Sequence, residues 1–248
     1  MIFLGFKEQF DAARSGDPVA QTAIGYIFFT GDGVERDRVE ASSWFSAAAE
    51  QGNAEAMCNL GYMNVHGEGV PQDAEEGFRL YERSAELGYS RAMFNVADLY
   101  SEGIGTQQDW DKARYWYERA AEHGSVIACY RLGVIHEEGI GLDVDYGKSI
   151  KSYRACMSAE HPKAGYRLGM MQLEGRGFER NPDVAAKTLI EAAGLNSPDA
   201  MCQLGKMSLI GEGMVKSKRN ARSWFSKAAA RGNDEAKSIL ASDTFKTQ

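Results

Sequence analysis

Apolar and small residues recur along this chain at a fixed step of 36 positions. One column is aromatic or large and apolar, and another is alanine. The first column contains Phe45, Tyr81, Tyr117, Tyr153, Leu189 and Phe225; the second contains Ala20, Ala56, Ala92, Ala128, Ala164, Ala200 and Ala236. A period of about 20–50 residues is typical of a solenoid, in which each unit buries its apolar face against its neighbours.

Glycine follows the same step. A Gly-x-Gly triplet begins at positions 31, 67, 103, 139, 175 and 211, without any insertion. A second glycine column contains Gly25, Gly61, Gly133, Gly169 and Gly205, with Ala97 in the remaining unit. The triplet is expected to end a helix, because glycine adopts positive φ without a steric penalty.

Each unit is predicted to contain two helices. A first helix follows Asp17, Asn53, Ser125, Ser197 and Asn233, whereas Tyr89 and His161 fill that column as weaker N-caps. A second helix follows Asp37, Asp73, Asp109, Asp145, Asn181 and Ser217, which are all residue types favoured at N-caps. Glu160 occupies a column that is otherwise glycine or asparagine, so we expect a locally different corner at 158–162.

The two ends extend the same register. Residues 1–17 align with a lone second helix and residues 234–248 with a lone first helix, followed by a frayed tail from Ser242. Terminal caps are expected because the end units of a stacked array would otherwise expose an apolar face. The prediction is therefore an all-α fold of six helix-turn-helix repeats over residues 18–233, with one capping helix at each end.

The repeat unit resembles the Sel1-like repeat, a 36-residue relative of the tetratricopeptide repeats. The likeness rests on segments such as Ala56–Gly61, Gly67–Val70 and Asp109–Gly124, and it covers nearly the whole chain. The resemblance implies a right-handed α-α superhelical solenoid with a concave groove lined mainly by first helices. It also implies a role in holding other proteins.

Net charge and composition exclude several functions. The chain carries 28 Lys and Arg against 35 Asp and Glu, a net charge of −7, which argues against nucleic acid and anionic membranes as partners. No apolar stretch reaches the ~18 residues of a membrane span, and the N-terminus has no basic residue before its apolar start. We therefore expect a cytoplasmic protein, with a monomer favoured.

The sequence contains no recognisable catalytic or metal-binding pattern. The serine β-lactamase signature, Gly-x-Ser-x-Gly and His-Glu-x-x-His are all absent, and the four histidines have no ligand spacing. We expect neither catalytic residues nor a metal or other cofactor.

Cysteines bear on the alternative of an enzyme. The cysteine-rich branch of the family pairs cysteines within each repeat, and some of its members bind or cleave β-lactams. This chain has only four cysteines. Cys58 and Cys202 are four repeats apart, and only Cys129 and Cys156 could meet across one repeat. Free thiols are the favoured interpretation, and a Cys129–Cys156 disulfide stays open.

The resemblance also indicates which residues would face a partner. In tetratricopeptide-like arrays, four first-helix positions line the groove. In this chain they predict an aromatic N-terminal half and an acidic middle, where Asp98, Glu102, Glu137 and Glu138 lie. The predicted partner-binding residues are Tyr26, Phe29, Tyr62, Phe94, Asp98, Glu102, Tyr130, Glu137, Glu138, Tyr166 and Met170.

These features favour a non-catalytic, bacterial interaction protein that holds a protein partner in its groove. A basic or amphipathic segment would suit the acidic middle. Three alternatives stay open: an immunity protein that neutralises a secreted toxin effector, a β-lactam-binding or hydrolysing enzyme, and a scaffold or regulator of an envelope, secretion or signalling complex.

Overall fold

The computed structural model describes residues 2–242 and residue 245, with side chains from residue 6 onward. Within these residues the chain forms fourteen α-helices and no β-strand. They are α1 (Ile2–Arg14), α2 (Pro18–Thr30), α3 (Arg38–Glu50), α4 (Ala54–His66), α5 (Ala74–Glu86), α6 (Ser90–Glu102), α7 (Trp110–Glu122), α8 (Val126–Glu138), α9 (Tyr146–Ser158), α10 (Pro162–Glu174), α11 (Pro182–Gly194), α12 (Pro198–Ile210), α13 (Lys218–Ala230) and α14 (Asp234–Ala241).

Side-chain caps fix where the second helices begin. Asp73, Asp109 and Asp145 each accept a hydrogen bond from the backbone N–H three residues later, at 2.9–3.0 Å. Asn181 and Ser217 make the same bond at 3.1 and 3.2 Å. Because the first N–H groups of a helix have no partner within the helix, these bonds stabilise each start by about 1 kcal/mol.

First helices follow the predicted pattern of strong and weak caps. Asn53 and Asn233 accept from the N–H three residues later, at 2.9 and 2.8 Å. Tyr89 and His161 have the extended N-cap backbone but make no capping hydrogen bond. The prediction that these two starts are weaker is therefore confirmed.

Gly-x-Gly triplets close the first helices and bring successive repeats together. Gly67 ends α4 at φ 68°, and its N–H donates to the carbonyl of Met63. Gly69 has φ 75°, and a Cβ on it would lie 2.2 Å from the carbonyl oxygen of Arg38, at the start of the preceding second helix. The second glycine is therefore required both by its backbone conformation and by the close contact between repeats.

The two helices of one repeat meet through the recurrent glycine and the recurrent large side chain. A Cβ added to these glycines would lie 2.4–3.1 Å from the partner side chain, so the ring or branch packs directly on the backbone. The pairs are Gly25 with Phe45, Gly61 with Tyr81, Gly133 with Tyr153, Gly169 with Leu189, and Gly205 with Phe225.

The corner at Glu160 corrects one expectation. Glu160 has φ 60°, and Asn196 has φ 65°, so both take the left-handed conformation that glycine has in the other repeats. The N–H of His161 donates to the carbonyl of Cys156 at 3.0 Å, as that of Asn53 donates to Ala48 at 3.1 Å. The turn at the corner is therefore the usual one, and the expected difference is limited to the start of α10, where the N–H of Ala164 donates to the carbonyl of His161 at 3.2 Å.

The chain divides into two compact units, Met1–Ala128 and Cys129–Gln248. In the first unit, each first helix packs most extensively on the second helix of its own repeat, as α4 does on α5. One core cluster of this unit is formed by Phe45, Met57 and Met63 with small alanines around them.

In the second unit, the core is formed by Leu189, Leu204 and Phe225 with the surrounding alanines and methionines. Phe245 is 6% exposed, and its ring lies 5.9 Å from that of Phe225. The structure therefore differs at Phe245 from the expectation of a frayed tail. Residues 243, 244 and 246–248 of that tail lie outside the described residues.

Candidate functional site

A cavity of about 280 Å³ opens between the first helices of three successive repeats in the first unit. Helices α2, α4 and α6 provide its walls, and one ring from α3 also lines it. The lining residues are Tyr26, Phe29, Phe45, Cys58, Asn59, Tyr62, Arg91 and Asn95. The cavity therefore collects three of the predicted partner-binding residues at one place.

Aromatic side chains form the accessible edge of this cavity. Tyr26 is 54% exposed and Tyr62 is 39% exposed, so both rings present apolar surface to solvent at the same edge. The ring of Phe29 meets that of Tyr62 edge-to-face, with 6.0 Å between centroids. On its other side, Tyr62 lies 4.3 Å from the ring of His66. Because Tyr62 contacts rings on both sides, it is held in place while still facing solvent.

Polar groups form the opposite part of the cavity. A guanidinium N–H of Arg91 donates to Oδ1 of Asn59, and the guanidinium also lies 5.5 Å from the ring centre of Tyr89. Nδ2 of Asn95 lies 3.7 Å from Sγ of Cys58. Burial raises the pKa of Cys58, and the nearby guanidinium opposes that effect. The Cys58 thiol is therefore a neutral part of the wall.

Asn59, Arg91 and Asn95 were not predicted from the sequence. A signal for two of them exists, because Asn59 and Asn95 occupy the same position in successive repeats, 36 residues apart. Arg91 has no basic counterpart in the adjacent repeats, where its column contains Glu55 and Ile127. Its place in the cavity depends on the packing of α6 against α4, which no single repeat reveals.

The third repeat uses its predicted residues partly for packing. The buried hydroxyl of Tyr117 donates to Oδ1 of Asp98. The ring of Phe94 lies 5.8 Å from that of Tyr117. Glu102, at the end of α6, is exposed. Asp98 and Phe94 therefore contact the second helix of their own repeat, and Glu102 is the member of this set that faces solvent.

Glu137 lies in the interior, which corrects its prediction as a groove residue. Its side chain has no exposed surface and accepts a hydrogen bond from the hydroxyl of Tyr153 at 2.6 Å. Arg167 and Arg176 both form ion pairs with the same carboxylate. A buried carboxylate requires such partners because losing its hydration is costly. Glu137 is thus neutralised inside the second unit and unavailable to a ligand.

The other predicted residues of the second unit also have internal contacts. Glu138 is exposed and pairs with Arg167 at 3.1 Å. The ring of Tyr130 lies 5.8 Å from Tyr153. Tyr166 and Met170 are partly buried against the core of this unit. Each of these residues therefore has contacts within its own unit that account for its position.

None of the four cysteines forms a disulfide in this structure. Cys129 is partly exposed, and its thiol lies 3.2 Å from the carbonyl oxygen of Ser152. A hydrogen bond from Cys156 lowers the pKa of Cys129, whereas the same interaction and burial raise the pKa of Cys156. Cys129 and Cys156 are thus neighbours across α8 and α9, but they are not joined in this structure.

Metal-binding and membrane-spanning features are absent from the part of the chain that the structure describes. These residues contain no group of three or more His, Cys, Asp or Glu side chains arranged to hold a metal ion. None of the described helices combines the length and the apolar character needed to cross a membrane.

Six successive segments of the chain match the Sel1 repeat family model. They are residues 18–53, 54–89, 90–125, 126–151, 162–197 and 198–233. The chain belongs to the Sel1 repeat family. The fourth match stops at residue 151 and the fifth begins at 162, so the unmatched stretch includes Glu160.

Solved structures with the same repeat fold come from several bacteria. A protective antigen of uropathogenic Escherichia coli, c5321, is 30% identical, with a TM-score of 0.87 over 96% of this chain and 53% of its own. A Sel1 repeat protein from Oxalobacter formigenes is 28% identical, with a TM-score of 0.78 over 91% of this chain and 99% of its own. This chain therefore spans about half the length of the E. coli antigen. Both likenesses confirm the predicted all-α superhelical repeat fold.

A more distant likeness is found with a bacterial immunity protein. Pa5087 of Pseudomonas aeruginosa is 16% identical, with a TM-score of 0.51 over 88% of this chain and 83% of its own. At this identity the likeness concerns the fold alone. Among curated proteins, none matches the sequence of this Sel1 repeat chain.

Proposed function

We propose that this Sel1 repeat chain is a non-catalytic bacterial protein that binds a segment of another protein at the cavity between Tyr26 and Tyr62. The observation that carries the proposal is the pair of exposed tyrosines at the edge of a cavity that also contains fixed polar groups. Sel1 repeat folds are generally interaction modules, which supports the same class of function.

The physical argument rests on the two tyrosines. A tyrosine offers a large apolar area and one hydroxyl while losing little conformational freedom on binding, so tyrosines are frequent among residues that dominate interfaces. The exposed part of these two rings is not covered by the fold. Covering them with an apolar side chain of a partner would remove that surface from water at about 25 cal/mol per Å².

The remaining predicted residues have a smaller part in this proposal. Phe29 supports Tyr62 from within the cavity. Glu102 and Glu138 are exposed, but Glu138 already pairs with Arg167, so we give these carboxylates no direct part in holding the partner. Phe94, Asp98, Tyr130, Tyr166 and Met170 are proposed to shape the first-helix surface, since each of them also contacts its own unit.

Site-specific photo-crosslinking in the source cell tests the proposal. A photoreactive phenylalanine analogue would replace Tyr26 or, as a matched control, Tyr115. These tyrosines are 54% and 52% exposed, but Tyr115 lies on the second helix α7 outside the cavity. We expect a discrete crosslinked partner from position 26 and none from position 115. Equal crosslinking at both positions, or none at position 26, would contradict the proposed site.

A single additional substitution links the crosslink to the cavity. Tyr62→Ala removes the second exposed ring, and we expect it to reduce crosslinking from position 26 several-fold. The thermal unfolding midpoint should fall modestly, because the contacts with Phe29 and His66 are lost, while the chain stays folded at the temperature of the assay. Assay of the purified chain with a chromogenic β-lactam addresses the enzyme alternative, and turnover there would overturn the non-catalytic assignment.

A further inference from the structure

We propose that the cavity recognises an extended partner segment in which an apolar side chain lies next to an Asp or Glu carboxylate. The apolar side chain would pack between Tyr26 and Tyr62, and the carboxylate would pair with Arg91. This inference rests on the proposed function and adds the chemistry of the partner, which the fold alone does not specify.

Arg91 provides the first argument. Among the described residues, no carboxylate lies within ion-pair distance of its guanidinium, whereas Arg38, Arg167 and Arg176 each pair with a glutamate. Glu55 acts on Arg91 only as a more distant charge. A guanidinium has five N–H donors, and the bonds to Asn59 and to the Cys58 thiol use only part of them. Donors therefore remain for a two-pronged contact with a carboxylate.

Arg91 is also held in position before any partner arrives. Asn59 accepts from its guanidinium on one side, and the ring of Tyr89 lies 5.5 Å away. A long side chain that is already oriented loses less conformational entropy on binding, so more of its interaction energy appears as affinity.

The charge of the lining gives the second argument. Of the eight lining residues, Arg91 is the one ionised group, and the others are aromatic rings, two carboxamides and a neutral thiol. The whole chain carries a net charge of −7. The acidic surface would repel a negatively charged segment, whereas Arg91 would attract it to this cavity. This contrast favours one position of the segment on the surface.

The two asparagines give a third, independent argument. Nδ2 of Asn59 is buried without a hydrogen-bond partner among the described residues. Nδ2 of Asn95 reaches only the sulfur of Cys58, which is a weak acceptor, at 3.7 Å. Both are donors on successive first helices, so they suit the carbonyl oxygens of an extended backbone crossing α4 and α6.

The volume of the cavity limits how much of the partner can enter it. Its volume of about 280 Å³ is at the lower limit of small-molecule sites, which are ~300–1,000 Å³. One inserted side chain with its flanking backbone fits this volume better than a complete cofactor.

The sequence predicted a basic partner because four acidic residues were expected to face the groove. Two of these four, Asp98 and Glu137, are instead bonded internally.

Selection of random twelve-residue peptides displayed on phage, with the full chain as target, tests this chemistry. Such peptides have no free C-terminus, so any carboxylate comes from a side chain. We expect enrichment of Asp or Glu next to a large apolar residue. Enrichment of neutral or basic peptides, or no enrichment, would overturn the inference.

An enriched peptide would then be titrated by fluorescence polarisation against four proteins: the unchanged chain, Arg91→Glu, Arg91→Gln and Arg222→Glu. Arg222 is exposed on α13 outside the cavity and provides the same change in charge. We expect Kd to rise roughly tenfold or more for Arg91→Glu, because charge-assisted hydrogen bonds are lost, and to stay unchanged for Arg222→Glu.

A charge swap completes the test. A peptide with its Glu replaced by Lys should bind Arg91→Glu better than it binds the unchanged chain. Equal binding of the peptide to the Arg91 variants and the unchanged chain would overturn the pairing, and thermal unfolding of each variant shows whether it is folded. If the Arg91 variants bind the peptide unchanged while a partner is still crosslinked from position 26, the carboxylate chemistry is rejected and the protein-binding function is retained. Loss of that crosslink rejects the function itself.

Discussion

At the residue scale, backbone conformation is decided by position and not by side-chain preference. Gly52 has φ 87°, and a Cβ added to it would have no atom within 4 Å, so the corner there requires glycine only for its backbone. Glu160 takes φ 60° at the equivalent corner. A left-handed residue other than glycine costs about 1–2 kcal/mol, so the fourth repeat accepts a local penalty that packing elsewhere offsets.

Glu160→Gly is therefore expected to stabilise the chain. The gain should be about 0.5–1 kcal/mol, because the relief of strain is partly offset by the greater freedom of glycine in the unfolded chain. The reciprocal variant Gly52→Glu should lose a similar amount. Urea denaturation followed by circular dichroism measures both, and a destabilised Glu160→Gly would show that the Glu160 side chain has a stabilising contact of its own.

At the element scale, the contact between a first and a second helix depends on one glycine and one large side chain. Gly205 lies against Phe225, which is completely buried and also contacts Phe245. The missing Cβ allows the ring to approach the α12 backbone. Close helix contact thus outweighs the helix propensity that alanine would add at this position.

Gly205→Ala should lower stability in spite of alanine's better helix propensity. Its Cβ would lie 2.7 Å from the Phe225 ring, and such overpacking costs about 1–3 kcal/mol, against a propensity gain of about 1 kcal/mol. Gly194→Ala is the control, because that residue ends α11 with no atom within 4 Å of an added Cβ. The control should be neutral or stabilising, and equal urea midpoints for the two variants would contradict this account.

At the scale of the whole molecule, the predicted aromatic residues and the predicted acidic residues differ in how far they are free to contact a partner. The cavity residues belong to the first unit, where two tyrosines face solvent. In the second unit, Glu137 is buried and Glu138 is paired with Arg167. Partner binding is therefore expected to depend on exposed rings far more than on these carboxylates.

Glu138→Lys should leave capture of the partner nearly unchanged. An exposed ion pair contributes about 0–1 kcal/mol, whereas truncation of a central aromatic residue at an interface often costs more than 2 kcal/mol. Quantifying the crosslink from position 26 in Glu138→Lys and in Tyr62→Ala compares the two directly. A large loss in Glu138→Lys would mean that the second unit also contributes to binding.

The sequence by itself determined the repeat, its 36-residue length, the all-α class and the residue at which most helices begin. These features are local: a capping side chain, a closing glycine and an apolar period act within one repeat, so six copies of the pattern make them recognisable. Tyr26, Phe29 and Tyr62 were also predicted as partner-facing residues, because the resemblance assigns their positions to the groove.

Only the tertiary structure decided which charged side chains form internal ion pairs and which face the cavity. The sequence predicted Glu137 to be a surface carboxylate. The structure instead surrounds it with Arg167, Arg176 and Tyr153. Arg91 remains exposed, and only the position of α6 beside α4 shows that its guanidinium lines the cavity. Whether a charged side chain is paired depends on residues some 30 positions away, in a neighbouring repeat. The pattern of a single repeat therefore cannot predict those contacts.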